Sequence, residues 1–210
     1  MKLTATITLI AVFISFITCG QTSNRRTDQS YQIDSGLTDK IEKKVKSFND
    51  VSMGSIDFRI YQNDSLVGET YSMAKSMESV TMSELNGDTA YITGFLGMFA
   101  GLGFQITLFK DTCIIRHLAK SDVEIYKLNK SDSPGFGVFV PCRTYNLKLI
   151  SKPAFKKGEI IEGLIELSSE DYYEVSNGED SKYRIELTGY FKTQPLASLN
   201  DQLNKYEKKK

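Results

Sequence analysis

Between residues 56 and 60, apolar Ile56, Phe58 and Ile60 alternate with Asp57 and Arg59, a period of two that predicts a half-buried strand. Asn63-Asp64 interrupts the run and residues 66–71 resume it, which predicts a hairpin. A second hairpin runs from Val80, Met82 and Glu84 through Asn86-Gly87 to residues 89–95; Asn-Gly between two such runs is the strongest short-range hairpin signal. Residues 104–109 and 112–118 flank Lys110-Asp111 as a third, and 123–128 reads as a further strand. Residues 129–137 (NKSDSPGFG) compose a loop. Strands are expected again at 138–140, 145–150, 160–167 and 183–191, separated by a turn at 153–159 and a polar tract at 174–181.

Two helices bracket this pattern. Leu37, Ile41, Val45 and Phe48 fall on one helical face in 37–48, with charges opposite. Near the end, Pro195 suits a helix start, Leu196, Leu199, Leu203 and Tyr206 keep helical spacing, and terminal lysines suit the C-terminal end of the dipole. The expected fold is mainly β: an antiparallel β-sandwich or barrel-like domain with short N- and C-terminal helices. A single domain over 37–196 and a C-terminal helix with basic tail over 197–210 are expected; were there two domains, the boundary would fall at 129–137. The stretch FKKGEIIEGLIEL (155–167) resembles the edge-crossing segment of immunoglobulin-like sandwiches, which implies fold alone.

The first 18 residues break the pattern. Lys2 precedes an uncharged, mostly apolar run from Leu3 to Thr18, short of the ~20 residues a spanning helix needs and laid out like a secretory signal. Phe16-Ile17-Thr18-Cys19-Gly20 resembles the lipobox of bacterial lipoproteins, although Phe16 and Thr18 depart from its usual Leu and Ala/Gly. The resemblance implies a signal peptide over 1–18, acylation (palmitate) of Cys19 and membrane attachment through that lipid. Gly20 in place of the Asp that retains such proteins at the inner membrane favours the outer membrane. Residues 19–36 are polar and nearly free of aliphatic side chains, and are expected to form a flexible tether.

Composition narrows the function by exclusion. With 26 Lys+Arg against 26 Asp+Glu and 40% hydrophobic residues, the 210-residue chain is neither disordered nor collagen-like. The balanced charge gives no bulk attraction to nucleic acid, and no nucleic-acid partner is expected. A single histidine excludes multi-His metal sites, and no metal or cofactor is expected.

Cys113 and Cys142, an even pair in an exported chain, read first as a disulfide; closing their 30-residue loop would contribute about 3–4 kcal/mol. Two buried thiols are the other reading. In the Gly-rich stretch 94–104, the glycines serve close strand packing, or else Phe95, Leu96, Met98, Phe99 and Leu102 line an apolar ligand pocket. The absence of a following Lys and Ser/Thr rejects a phosphate loop. His117 is a surface or hydrogen-bonded histidine unless the fold brings a nucleophile and an acid to it. Glu162 and Glu166 alternate with Ile161 and Ile165 as on the solvent face of a strand, and Tyr172, Tyr173, Tyr183 and Tyr190 read as strand residues rather than a sugar platform. Asp64-Ser65-Leu66 and Asp88-Thr89-Ala90 resemble an acceptor motif of bacterial periplasmic O-glycosylation. The expected function is an envelope-anchored lipoprotein whose non-catalytic β-rich domain binds another envelope component, a protein first. The alternatives are an apolar small-ligand module and a periplasmic hydrolase using His117.

Overall fold

The computed structural model describes residues 29–48, 51–69, 78–97 and 100–194; the expected signal peptide, Cys19 and the expected C-terminal helix lie outside them. Among the described residues fourteen strands form one sheet: β1 (Gln29–Ser30), β2 (Gln32–Ile33), β3 (Lys46–Phe48), β4 (Val51–Gln62), β5 (Ser65–Glu69), β6 (Glu78–Asn86), β7 (Thr89–Leu96), β8 (Gly101–Phe109), β9 (Thr112–Lys120), β10 (Tyr126–Lys127), β11 (Gly137–Leu149), β12 (Ile161–Ser169), β13 (Tyr172–Ser176) and β14 (Glu179–Thr193). A helix, α1 (Thr38–Lys44), follows a 3-10 turn at Ser35–Leu37.

Eight strands pair antiparallel with their neighbours in the order β4-β6-β7-β8-β9-β11-β12-β14. β14 then pairs with β4, Tyr183 facing Gln62 and Tyr190 facing Ser55, so the path returns to its start. The expected β-rich, barrel-like architecture is what the chain adopts. Residues 155–167 lead into one wall of this ring and do not cross between two sheets.

Alternation decides what fills the ring. Ile56 and Phe58, Ala90 and Ile92, Phe104 and Ile106, Ile115, Leu147, Ile165, Ile185 and Phe191 form one buried cluster. Eight strands enclose a space just wide enough for side chains or one small ligand. Here Phe104 and Phe191 meet at its centre, ring centroids 5.9 Å apart and tilted by 51°. Glycine makes the room: a Cβ on Gly94 would stand 2.3 Å from Phe104 Cζ, and one on Gly189 2.9 Å from Phe104 Cε1.

Elsewhere the chain departs from its local pattern. The helix expected over 37–48 stops at Lys44, because Val45 turns extended and residues 46–48 pair with β4. Leu37, Ile41 and Val45 do share a face, packed on Leu164 outside the ring with Ile150 and Tyr190. The two strands expected at 138–140 and 145–150 are one, β11, bent by a bulge between Cys142 and Thr144. The polar tract 174–181 holds the β13–β14 hairpin, with Asn177 and Gly178 both at positive φ. Of 123–128, Tyr126–Lys127 alone is strand. Of the tether expected over 19–36, residues 29–36 instead run through β1, β2 and the 3-10 turn, because Tyr31 packs against the main core; residues 19–28 lie outside the described residues.

Gly94→Val should lower stability by about 1–3 kcal/mol, the usual cost of overpacking. Denaturant unfolding of both single variants and the double variant checks the cause: with Phe104→Leu present, the valine should be less harmful than in the parent. Additive effects would place the strain elsewhere.

Candidate functional site

On the outside of the ring the residues that alternate with the core are polar, and register lines them up. Arg59, Glu186, Ser168 and Thr144 form one row across β4, β14, β12 and β11. Asp57, Thr188, Glu166 and Asn146 form the next. With strands spaced about 4.8 Å apart, the two rows make a floor about 14 Å wide. The third row, Tyr190, Leu164 and Lys148, lies where α1 sits, so the helix and Lys44 border one side. Tyr61 and Arg184 border the other, the guanidinium carbon 4.1 Å above the ring centroid. The two rows, with Lys44 and Tyr190, line an open groove of about 700 Å³.

Glu186 organises the floor. It accepts from Tyr61 Oη at 3.1 Å and from Arg184 at 3.0 Å, and Arg59 stands 3.8 Å away. Arg59 also reaches Glu69 at 3.8 Å, and Arg184 Nη1 donates to Ser168 Oγ at 3.5 Å. Asn146 Nδ2 donates to Glu166 Oε2 at 3.0 Å. The floor thus presents donors and acceptors of both signs at fixed positions, the chemistry of recognition of a polar, mixed-charge surface. Glu166 is on a solvent face as its alternation predicts; the arginines and Glu186 were missed, because only register joins four separate strands into a site.

The residues singled out by sequence lie elsewhere. Cys113 and Cys142 carry thiols and form no disulfide: Cys113 faces Gln29 and Leu108, Cys142 faces Ser169, and the β9–β11 ladder ends at Pro141 opposite Arg116. Burial pushes both thiols up, to about 11 and about 12. Of the apolar-pocket residues, Leu96 belongs to the main core, with Leu102 half-buried against it. Phe95, buried too, follows the pleat to the opposite face of β7 from Leu96. Gly94 lies under the Phe104 ring, so the glycines serve close packing. Met98 and Phe99 lie outside the described residues.

His117 is inside the ring, 0% exposed, on the face that carries Cys113 and Ile115. Its Nδ1 donates to Gly103 O at 2.9 Å, which leaves Nε2 as the unprotonated nitrogen, and among the described residues Nε2 has no hydrogen-bond partner. Tyr172 packs on it at 5.4 Å between centroids and stacks on Tyr183. Among the described residues no carboxylate or serine bonds to this imidazole, so the geometry does not assemble a catalytic set around it. Tyr172 is buried in that stack rather than displayed as a platform. Among the described residues, no cluster of three His, Cys, Asp or Glu that could hold a metal occurs. No family model matches the chain, and no curated protein or solved structure is found similar to it.

Burial holds the His117 ring down to about 4 from its ordinary 6.5, against the opposing Gly103 hydrogen bond. The folded state keeps it neutral while the unfolded state takes up a proton below 6.5, so stability is complete above 6.5 and falls as pH drops toward 4. The loss attributable to this group is on the order of 3 kcal/mol. Urea midpoints at pH 7, 5.5 and 4 check it: His117→Gln should show a shallower decline than the parent, and parallel declines would contradict the assignment.

Proposed function

We propose that this protein is a lipid-anchored, non-catalytic binding module of the bacterial cell envelope whose ring engages another envelope protein through the outer groove on β4, β14, β12 and β11. The observation that carries the reading is the groove floor: two registered rows of polar side chains with Glu186 fixed by Tyr61 and Arg184. Such fixed, mixed charges select a partner by complementarity and suppress wrong ones more than they add raw affinity. The interior supports no competing ligand reading, since Phe104 and Phe191 occupy its centre. The anchor rests on the lipobox-like segment ending at Cys19, and it would confine the search for a partner to the membrane surface.

A photo-crosslinking residue at Thr188 or Asn146, in cells, should trap one recurrent envelope protein. The same residue at Tyr91, on β7 across the ring and 39% exposed, should not. Arg59→Glu should reduce the Thr188 adduct at least tenfold, because it places two carboxylates against each other at the centre of the floor. Equal trapping at Thr188 and Tyr91, or an adduct indifferent to Arg59→Glu, would refute the groove as the binding face.

A further inference from the structure

One seam of the ring is short and interrupted. β9 and β11 pair only where Arg116–Lys120 face Pro141–Gly137. Pro141 brings no N–H to continue the ladder, and the bulge between Cys142 and Thr144 turns β11 away. The chain's own residues 29–33 enter the opening. β1 runs antiparallel to β9, with Gln29 facing Cys113 and Ser30 facing Thr112; β2 runs parallel to β11, with Gln32 facing Lys148 and Ile33 facing Leu149. Between them Tyr31 packs against the main core and its hydroxyl donates to Lys110 O at 2.8 Å. Asp34 N donates to Leu149 O at 2.8 Å, and the Asp34 carboxylate stands 3.7 Å from Lys148.

We infer that this seam is a strand-acceptor site, held in reserve by Gln29–Ile33, and that the occupant it takes from outside is an extended segment of the partner protein with one aromatic residue between polar ones. The inference rests on the reading of the ring as a protein-binding module and deepens it. Two residue pairs on each side make the internal strand short, and short strands of few contacts open at the low end of a protein's local stabilities. An opened seam offers backbone donors and acceptors along both β9 and β11, the requirement for strand addition, and one side-chain seat, that of Tyr31. The seam is also continuous with the groove: β11 carries Thr144 and Asn146 on the groove floor and Lys148 beside Asp34. A partner segment leaving the groove over β11 meets the seam next.

The register supplies the test. Gln29→Cys places a cysteine directly opposite Cys113, at the spacing of an antiparallel cross-strand pair, within reach of a disulfide. Oxidation then locks the internal strand in a full-length chain, and reduction releases it. The probe is a fluorescein-labelled peptide of this chain's residues 27–36 (TDQSYQIDSG). It competes with an internal copy at millimolar effective concentration, so the wild-type chain should bind it weakly. Tyr31→Ala in the full chain should bind it at least tenfold more tightly, and oxidised Gln29→Cys should bind at least tenfold less than its reduced form. The peptide with alanine in place of its tyrosine should lose at least tenfold against every acceptor. Equal binding by the oxidised and reduced forms, or no binding by any form up to millimolar peptide, overturns the seam as an acceptor. Because the probe is the chain's own segment, that result is independent of the groove. Failure here with the Thr188 adduct intact removes the seam alone, and loss of the adduct with peptide binding intact removes the groove alone.

Discussion

The pairing of β14 with β4 is the constraint on which the rest depends. It joins Ile185 to Ile60 and Gly189 to Ile56, more than 120 residues apart, and converts a meander into a ring. Without it, Ile56 and Phe58 on one edge and Ile185 and Leu187 on the other would face water, and the cluster around Phe104 would lose a wall. The same contact sets Arg59 against Glu186 on the outside. Closure therefore creates the core and the groove in one step: Ile185–Ile60 and Leu187–Phe58 pair on the inner face, Glu186–Arg59 on the outer. A long-range closure of this kind is paid for in loop entropy before it is rewarded by contacts, so the ring is expected to form late in folding.

Once closed, the ring is too narrow to be both well packed and hollow. Phe104 spans the space between Gly94 and Gly189, and Phe191 meets its ring. Large aromatic side chains seated over glycines leave the interior as a core. The polar chemistry is displaced to the outer wall, where α1 and the Tyr61–Arg184 pair raise two borders on an otherwise convex surface. Pro141 and the following bulge interrupt the wall between β9 and β11, and residues 29–33 occupy that interruption.

Local pattern made most of the strands legible and hid how they meet. Asn86-Gly87 and Lys110-Asp111 fall at hairpin turns, and the alternation of Ile56, Phe58 and Ile60 marks an inward face, because two-residue periodicity and turn chemistry act over a few residues. Which strand an edge meets depends on register and closure, which act over the whole chain. The expectation for Glu166 as a solvent-facing strand residue was therefore sound, yet its neighbours Asn146 and Thr188 come from strands 20 and 22 residues away. His117 carried a usable signal: it shares the parity of Cys113 and Ile115 and so belongs inside. Cys113 and Cys142 sit on neighbouring strands but in unmatched register, a relation that spacing does not encode. The ordering of residues 29–33 was illegible because a polar segment gains its structure here from a vacancy in someone else's ladder, with Tyr31 as its sole aromatic anchor.

Amide hydrogen exchange on the full-length protein tests the closure most directly. A closed ring predicts that the amides aimed across the β4–β14 boundary, those of Asp57, Arg59 and Tyr61 in β4 and of Arg184, Glu186 and Thr188 in β14, exchange as slowly as Ile92 and Ile106 in the middle of the meander, through global unfolding. Fast exchange of the β4 and β14 amides beside slow exchange of Ile92 and Ile106 would show two open edges, and both the filled interior and the outer groove would fall with the ring.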